Sequence, residues 1–198
     1  RIFLTAQKDL RVDDPKKNDL YAVGTVAIVK QILRMPGDNM RILVEGKFRA
    51  ELVDCIQSEP HLFARVEEIE EPAYNASLPR VQALLRQAHG AYEQFVELAA
   101  KNLQDGLLQV LSSEDPGFVA DFIAQNSSIV YQDKQKILEQ PHPVKRLELT
   151  VKLLAKELEI LQLENEISEK VQQNVNKGQR DYYLREQMHV IREELGEE

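Results

Sequence analysis

The side chains best suited to metal binding or nucleophilic chemistry are four histidines and one cysteine, and they stand far apart. They are His61, His89, His142, His189 and Cys55. Metal sites need such ligands at short, defined spacings, and neither a His-Glu-x-x-His run nor a pair of neighbouring cysteines occurs. We therefore predict that the histidines lie on the surface, that the cysteine fills apolar space, and that the chain holds no metal.

Motifs for nucleotide binding and nucleophilic catalysis are also missing. Gly46-Lys47 is followed by Phe48, and the earlier glycine of a phosphate-binding loop is not at the required spacing. The Gly-x-Ser-x-Gly pattern of serine hydrolases does not occur either. The sequence therefore predicts a non-catalytic chain without a cofactor.

Composition and charge further restrict the functions and locations that the chain can have. The 198 residues include 25 Lys and Arg against 33 Asp and Glu, a net charge of -8, which disfavours a general nucleic-acid binder. A single cysteine indicates a reducing, cytoplasmic compartment. No apolar run approaches the roughly 18–20 residues of a membrane span, and no signal peptide is visible. The start at Arg1, directly before an apolar run, indicates a piece of a longer protein.

The clearest local signal is a long β-hairpin. Val23–Leu33 and Met40–Lys47 are rich in apolar and β-branched residues and flank the turn sequence Met-Pro-Gly-Asp-Asn at residues 35–39. Proline fixes one turn dihedral, and glycine or asparagine accepts a positive φ. The second arm is expected to continue through residues 48–53 after a bulge near Gly46.

Two further strands complete a small, mostly antiparallel sheet or barrel. Residues 2–5 and 62–69 are short apolar or alternating runs. An acidic linker is expected over residues 70–75. Its glutamates, together with Glu67 and Glu68, are predicted to be solvated surface.

Apolar side chains at helical spacing predict a bundle over residues 73–143. The first helix is expected from residue 78 to 98 with Ser77 as its N-cap. Shorter helices are expected at 103–111, at 116–124 with Asp115 as cap, and at 128–138.

Residues 144–198 contain no proline and predict one long helix. A heptad-like seam comprises Leu147, Val151, Leu154, Leu158 and Leu161, and a neighbouring stripe comprises Ile160, Leu163, Ile167, Val171 and Val175. A helix over 144–195 would be roughly 78 Å long. A globule of this size is only about 40 Å across. The helix must therefore bend, with Gly178 as the candidate hinge, or leave the globule as an arm that needs a partner.

Three segments resemble one family. Residues 179–197, QRDYYLREQMHVIREELGE, resemble the stretch that closes the N-terminal region of Lon proteases, the ATP-dependent AAA+ serine proteases, just before their ATPase module. The hairpin is similar to the β-hairpin of the Lon N-terminal domain, and residues 147–161 are similar to its long helix. The resemblance covers nearly the whole chain, although the family has further β structure ahead of the position of Arg1.

The resemblance implies an α+β fold in three parts. Residues 1–72 would form a PUA-like substrate-recognition subdomain, residues 73–143 a helical bundle, and residues 144–198 the helix leading to a hexameric ATPase ring. The implied role is non-catalytic recognition of unfolded or degron-bearing proteins and assembly with other copies. ATP, Mg²⁺ and the Ser-Lys dyad would belong to the whole protease, beyond Glu198. The resemblance also implies some association with DNA, which the net charge opposes. Since no apolar run is long enough for a membrane span, no membrane partner is expected.

Two sets of apolar residues are candidates for contact with partners. An unfolded client exposes apolar side chains, so its receptor must expose them too. Leu33, Met35 and Met40, beside the hairpin turn, are expected to contact clients or else to pack. A second set is expected to dock onto the ATPase module, to pair as a coiled coil or to contact clients: Tyr182, Tyr183, Leu184, Met188 and Ile191. Two rival functions stay open, a free-standing adaptor that dimerises through the 144–175 seam and a nucleic-acid-binding module.

Overall fold

The fold is a four-stranded antiparallel sheet followed by helices, the last of them very long, which confirms the α+β prediction. The computed structural model describes residues 1–37, 39–57, 62–99 and 104–195. Its elements are β1 (Ile2–Leu4), β2 (Val23–Arg34), β3 (Met40–Gln57), β4 (Phe63–Glu68), α1 (Pro79–Leu98), α2 (Gln104–Leu111), α3 (Pro116–Asn126), α4 (Tyr131–Leu138) and α5 (Pro143–Leu195).

The sheet is an open meander in the order β1-β2-β3-β4. The register of β2 and β3 passes from Val26↔Phe48 to Ala27↔Gly46, so Lys47 is an extra residue in β3. This confirms the bulge predicted near Gly46 and the continuation of the strand beyond it. A second irregularity, between Val29 and Gln31, makes Lys30 an extra residue in β2.

The first two strands approach each other closely at Gly24. A Cβ atom at this position would lie 2.3 Å from the carbonyl oxygen of Leu4 and 2.6 Å from the Phe3 ring. Only glycine therefore lets β1 pair with β2 in this register. Around this pairing the sheet buries a small set of apolar side chains, Val26, Ala27, Ala50 and Leu52.

The main core lies among the helices, where α1 and α3 pack on the first part of α5. It includes Val81, Leu85, Ala88, Tyr92, Phe95, Val119, Ile123, Leu147, Val151, Leu154 and Leu158, with Leu161 at its edge. The predicted heptad seam therefore packs inside its own chain. Because α1 and α3 cover these side chains, the seam at residues 147–161 is not available for pairing with a second copy. Farther along the same helix, Leu163, Ile167, Val171 and Val175 are exposed, so the rival dimer through residues 144–175 stays a prediction.

Helix starts agree with the predictions only in part. Asp115 caps α3, since its carboxylate accepts a hydrogen bond of 2.9 Å from the N–H of Gly117. Ser77 is not the cap of α1. The N-cap is Leu78, directly before Pro79, and the Ser77 N–H donates to the side chain of Asn75. The fourth helix begins at Tyr131, three residues later than expected.

The second part of α5 leaves the globule. From residue 162 to residue 195 every side chain is exposed, a stretch we call the arm. Its 34 residues extend about 51 Å at 1.5 Å per residue. Near its base, the Asn165 amide donates to the carbonyl of Leu98 at the end of α1 at 3.4 Å. The helix continues through Gly178 without interruption, so the expectation of an arm is confirmed.

Candidate functional site

The β2–β3 hairpin extends beyond both neighbouring strands. The first strand pairs with β2 only at residues 25–27, and β4 begins its pairing with β3 at Ala50. In the part of the chain that the structure describes, residues 29–34 and 40–46 therefore form a two-stranded ribbon without a third strand. Such a ribbon has two solvent-facing sides, so it cannot bury its apolar residues against the sheet.

Large apolar side chains are concentrated at the end of this ribbon. We call the following exposed residues the hairpin tip: Ile32, Leu33, Met35, Met40, Ile42 and Leu43. Because strand side chains alternate, Ile32 and Ile42 share one side of the ribbon with Met40. The other side carries Leu33, Leu43 and Met35. The hairpin tip is thus apolar on both sides.

The sequence identified half of this set. It predicted Leu33, Met35 and Met40, and the structure places all three at the end of the ribbon, Met40 on one side and Leu33 with Met35 on the other. Ile32, Ile42 and Leu43 were missed because alternation along a strand suggests that one side faces a core. The length of the hairpin could have indicated these residues, because β2 and β3 are longer than the neighbouring strands β1 and β4 that could cover them.

The turn has the chemistry that its sequence predicts. Gly37 has a φ of +83°, in the region that favours glycine. The N–H of Met35 donates to the carbonyl of Asn39 at 2.8 Å. The turn therefore closes tightly and holds the two strand ends in register.

Charges on the ribbon are basic overall. Residues 29–46 contain three basic residues, Lys30, Arg34 and Arg41, against Asp38 and Glu45, and Lys47 follows directly. Glu45 forms ion pairs with Lys30 and, at 2.5 Å, with Lys47. The hydrogen bonds from Lys30 and then Lys47 lower the pKa of Glu45 to about 2. The hairpin tip thus lies in a locally positive segment of an acidic chain.

The second predicted set of apolar residues lies on the arm and is exposed to solvent. Tyr182, Tyr183, Leu184, Met188 and Ile191 are all exposed, as is the stripe formed by Ile160, Leu163, Ile167, Val171 and Val175. A Cβ at Gly178 would meet no atom within 4 Å. The arm and the hairpin tip are therefore separate apolar surfaces.

The histidines do not form a site in the part of the chain that the structure describes. His61 lies outside that part. His89 and His142 are half-buried, which corrects the surface prediction: His89 follows the buried Ala88 in α1, and His142 directly precedes the buried Pro143 at the start of α5. Each has a buried ring nitrogen without a hydrogen-bond partner there. His189 is exposed and lies 3.7 Å from Glu193. No group of three or more metal-binding side chains occurs among the described residues.

Cys55 is half-buried on β3 and has a free thiol. It lines a hollow of about 480 Å³ with Leu52, Phe63 and residues of β1. This agrees with its predicted role as a small apolar residue. Within the described ranges, no helix is both long and apolar enough to cross a membrane.

Comparison with known proteins gives one consistent family. The model of the ATP-dependent protease La (LON) substrate-binding domain matches residues 1–156. The Lon protease of Syntrophomonas wolfei is 42% identical over 196 residues, which are 99% of this chain and 24% of that protein. Lon protease 1 of Thermus thermophilus is 39% identical over 198 residues, covering 98% of this chain and 24% of that protein.

A solved structure supports the fold. The N-terminal domain of the Mycobacterium avium complex Lon protease aligns with a TM-score of 0.58 at 17% identity, over 78% of this chain and 90% of that one. The chain spans about a quarter of the length of the curated relatives it matches.

Proposed function

Because the chain belongs to the Lon substrate-binding domain family, we propose that it is the non-catalytic N-terminal recognition region of an ATP-dependent Lon serine protease. The whole protein would degrade misfolded and regulatory proteins in the cytoplasm as a hexamer, as part of the stress response. ATP, Mg²⁺ and the Ser-Lys dyad would act outside residues 1–198. DNA association would involve the whole protein, since this chain carries a net charge of -8.

The observation that carries the proposal is the hairpin tip. Misfolded proteins are distinguished from folded ones by exposed apolar side chains, and burying these contributes about 25 cal/mol per Å². Six large apolar side chains on a projecting ribbon offer a matching surface. Two of them are methionines, Met35 and Met40, whose flexible side chains adapt to differently shaped clients.

The arm supports a role in assembly. A large exposed apolar stripe on a soluble helix needs a partner. We assign Tyr182, Tyr183, Leu184, Met188 and Ile191 to docking on the ATPase module or on another copy. Gly178 would then act as the hinge between the globule and that docking surface.

Aggregation of a chemically denatured client tests the recognition role. Light scattering should fall when the chain is present in several-fold excess. The variants Met35→Asp and Met40→Asp should lose this effect while keeping the wild-type melting temperature, because both side chains are exposed. Unchanged scattering with the wild-type chain would refute capture by the hairpin tip, and a large loss of stability in Met35→Asp would make Met35 a packing residue.

The matched control is Met188→Asp. Met188 is 54% exposed, between the 44% of Met35 and the 65% of Met40, but lies on the arm. It should suppress aggregation as the wild type does. If Met188→Asp alone loses the effect, clients bind the arm instead. Incubation with ATP and casein should release no peptides or phosphate, and turnover of either would contradict a non-catalytic role.

A further inference from the structure

We propose that the client segment binds as an added β-strand along the outer edge of β3, from Met40 to Val44. The inference deepens the proposed function and rests on it. It specifies the substrate class as an extended polypeptide stretch with apolar side chains at every second residue. Backbone hydrogen bonds would supply affinity without sequence specificity, and the alternate side chains would supply the preference.

The outer edge of β3 is open over this stretch. On that side, β4 pairs with residues 50–57, and the N–H of Ile69 makes a bond of 2.9 Å to the carbonyl of Arg49. The chain then leaves the sheet, since residues 69–76 are not strand. Within the described residues, no strand pairs with the outer edge at residues 40–46.

The register identifies the free backbone groups. In an antiparallel pair, residues that exchange hydrogen bonds alternate with residues whose N–H and C=O groups point outward. The N–H of Met35 bonds to the carbonyl of Asn39 across the turn, so the backbone N–H and C=O groups of the next pair, Arg34 and Met40, point outward. Along β3 the same groups of every second residue point outward, which adds Ile42 and Val44.

The third strand offers a better edge than β2. The extra residue Lys30 bends β2, so its outer edge is regular only at residues 31–34. Along β3 the pairing runs without an extra residue from Met40 to Gly46, and the irregularity begins at Lys47. An added strand therefore finds its longer regular partner in β3.

The free edge and an apolar surface coincide. Met40, Ile42 and Val44 have outward backbone groups, and their side chains share one side of the ribbon with Val29 and Ile32. Residues directly opposite in an added strand would place their side chains on that same side. A client with apolar residues at positions i, i+2 and i+4 can therefore form backbone hydrogen bonds with the free edge and pack its apolar side chains on this surface.

Charge favours a client polypeptide over a second copy of this chain. Edge-to-edge pairing of two ribbons would bring together two segments that each contain three basic and two acidic residues, with Lys47 directly beside each. An unfolded backbone carries no such repulsion. An acidic residue at the client end beside Met40 would additionally lie close to Arg41.

Backbone-modified peptides test the inference. The probe is a short synthetic peptide with valine at alternate positions, serine between them and aspartate at both ends. One derivative carries N-methyl groups on the valines, whose N–H groups would face β3, and the other carries them on the serines. Fluorescence anisotropy should show about tenfold weaker binding for the valine-methylated peptide and unchanged binding for the serine-methylated one.

Amide exchange gives an independent measurement. By NMR, the amides of Met40, Ile42 and Val44 should exchange fast in the free protein and slowly with the unmodified peptide. The amides of Arg41 and Leu43, bonded to β2, should be protected in both states. On the protein side, Ile42→Pro should abolish peptide binding, whereas Ile42→Ala, which keeps the outward N–H, should weaken it only in part.

The outcomes separate this inference from the proposed function. If both methylated peptides bind as well as the parent, or only serine methylation weakens binding, strand addition at these residues is refuted while capture by the hairpin tip stands. If no peptide binds and aggregation is also unaffected, the proposed function fails as well. A second copy would be the occupant of the edge if sedimentation shows a dimer and the amides of Met40, Ile42 and Val44 exchange slowly in that dimer without peptide. This result would overturn the inference.

Discussion

The guanidinium of Arg49 on β3 lies 2.5 Å from the carboxylate of Asp121 on α3, and this contact ties the sheet to the helices. Arg146 of α5, which is fully buried, approaches the same carboxylate oxygen at 3.3 Å and binds Glu71 of the linker at 2.7 Å. Arg49 also reaches Glu71, and its Nε donates to the carbonyl of Leu138. Sheet, linker and three helices thus meet at two arginines and two carboxylates.

Removing one carboxylate from this cluster should destabilise the fold. Asp121→Ala takes a charged partner from both arginines, and hydrogen bonds to charged groups contribute about 1.5–3 kcal/mol each. We expect a loss of about 2–3 kcal/mol in the free energy of unfolding, measured by urea denaturation. Asp133→Ala is the control, since its pair with Lys136 lies on the surface and should cost less than about 1 kcal/mol. Equal losses of unfolding free energy in the two variants would show that the cluster does not stabilise the fold more than a surface ion pair does.

The ion pairs of Glu45 should make the ribbon acid-sensitive. The pKa of Glu45 falls from its ordinary value of 4.5 to about 2, mainly through hydrogen bonds from Lys30 and Lys47. A carboxylate with a depressed pKa in the folded state stabilises that state above its unfolded pKa. This stabilisation is therefore complete above about pH 4.5 and is lost as the pH falls toward 2.

NMR titration of the Glu45 carboxyl group checks this directly. The midpoint should lie near 2 in the wild type and move back toward 4.5 in Lys30→Met. Lys17→Met, which removes a pair with Asp54 instead, should leave the midpoint unchanged. A wild-type midpoint of about 4.5 would contradict the paired geometry.

Local patterns predicted most of the elements. The hairpin was evident because its turn residues and flanking β-branched runs act over a few positions, and the helices followed from apolar spacing. The same reasoning found the heptad-like seam from Leu147 to Leu161 but left its partner open. Spacing alone reports that a helix side is buried, whereas the partner, here α1 and α3, depends on how the helices fold back.

Contacts between distant residues could not be predicted in this way. Arg49, Asp121 and Arg146 each look like ordinary surface charges in sequence, and Glu71 was interpreted as solvated. They meet only because the sheet packs beside α3 and α5. The client-binding residues and the hinge stay predictions, as do the boundaries at residues 72 and 143. For the hairpin tip, the structure adds the exposure of its apolar side chains.

Gly24 should be sensitive to the smallest side chain. In Gly24→Ala the new methyl group would lie within 3 Å of the Leu4 carbonyl and the Phe3 ring, so β1 must move away from β2. Overpacking of this kind costs about 1–3 kcal/mol. The control is Gly46→Ala, where the added atom meets only the Thr25 methyl group at 3.2 Å. Thermal unfolding should show a clearly lower melting temperature for Gly24→Ala alone, and equal melting temperatures would refute the close approach.

Gly178→Ala should stiffen the arm. Glycine inside a helix costs about 1 kcal/mol relative to alanine, and a Cβ at this position meets no neighbouring atom. Hydrogen exchange of the amides around residue 178 should therefore slow by about fivefold. Gly90→Ala is the matched control, because Gly90 is also helical with no atom within 4 Å but lies in α1. Gly90→Ala should leave exchange in the arm unchanged. If Gly178→Ala also leaves it unchanged, local opening of the arm does not depend on this glycine, and the hinge assigned to it is wrong.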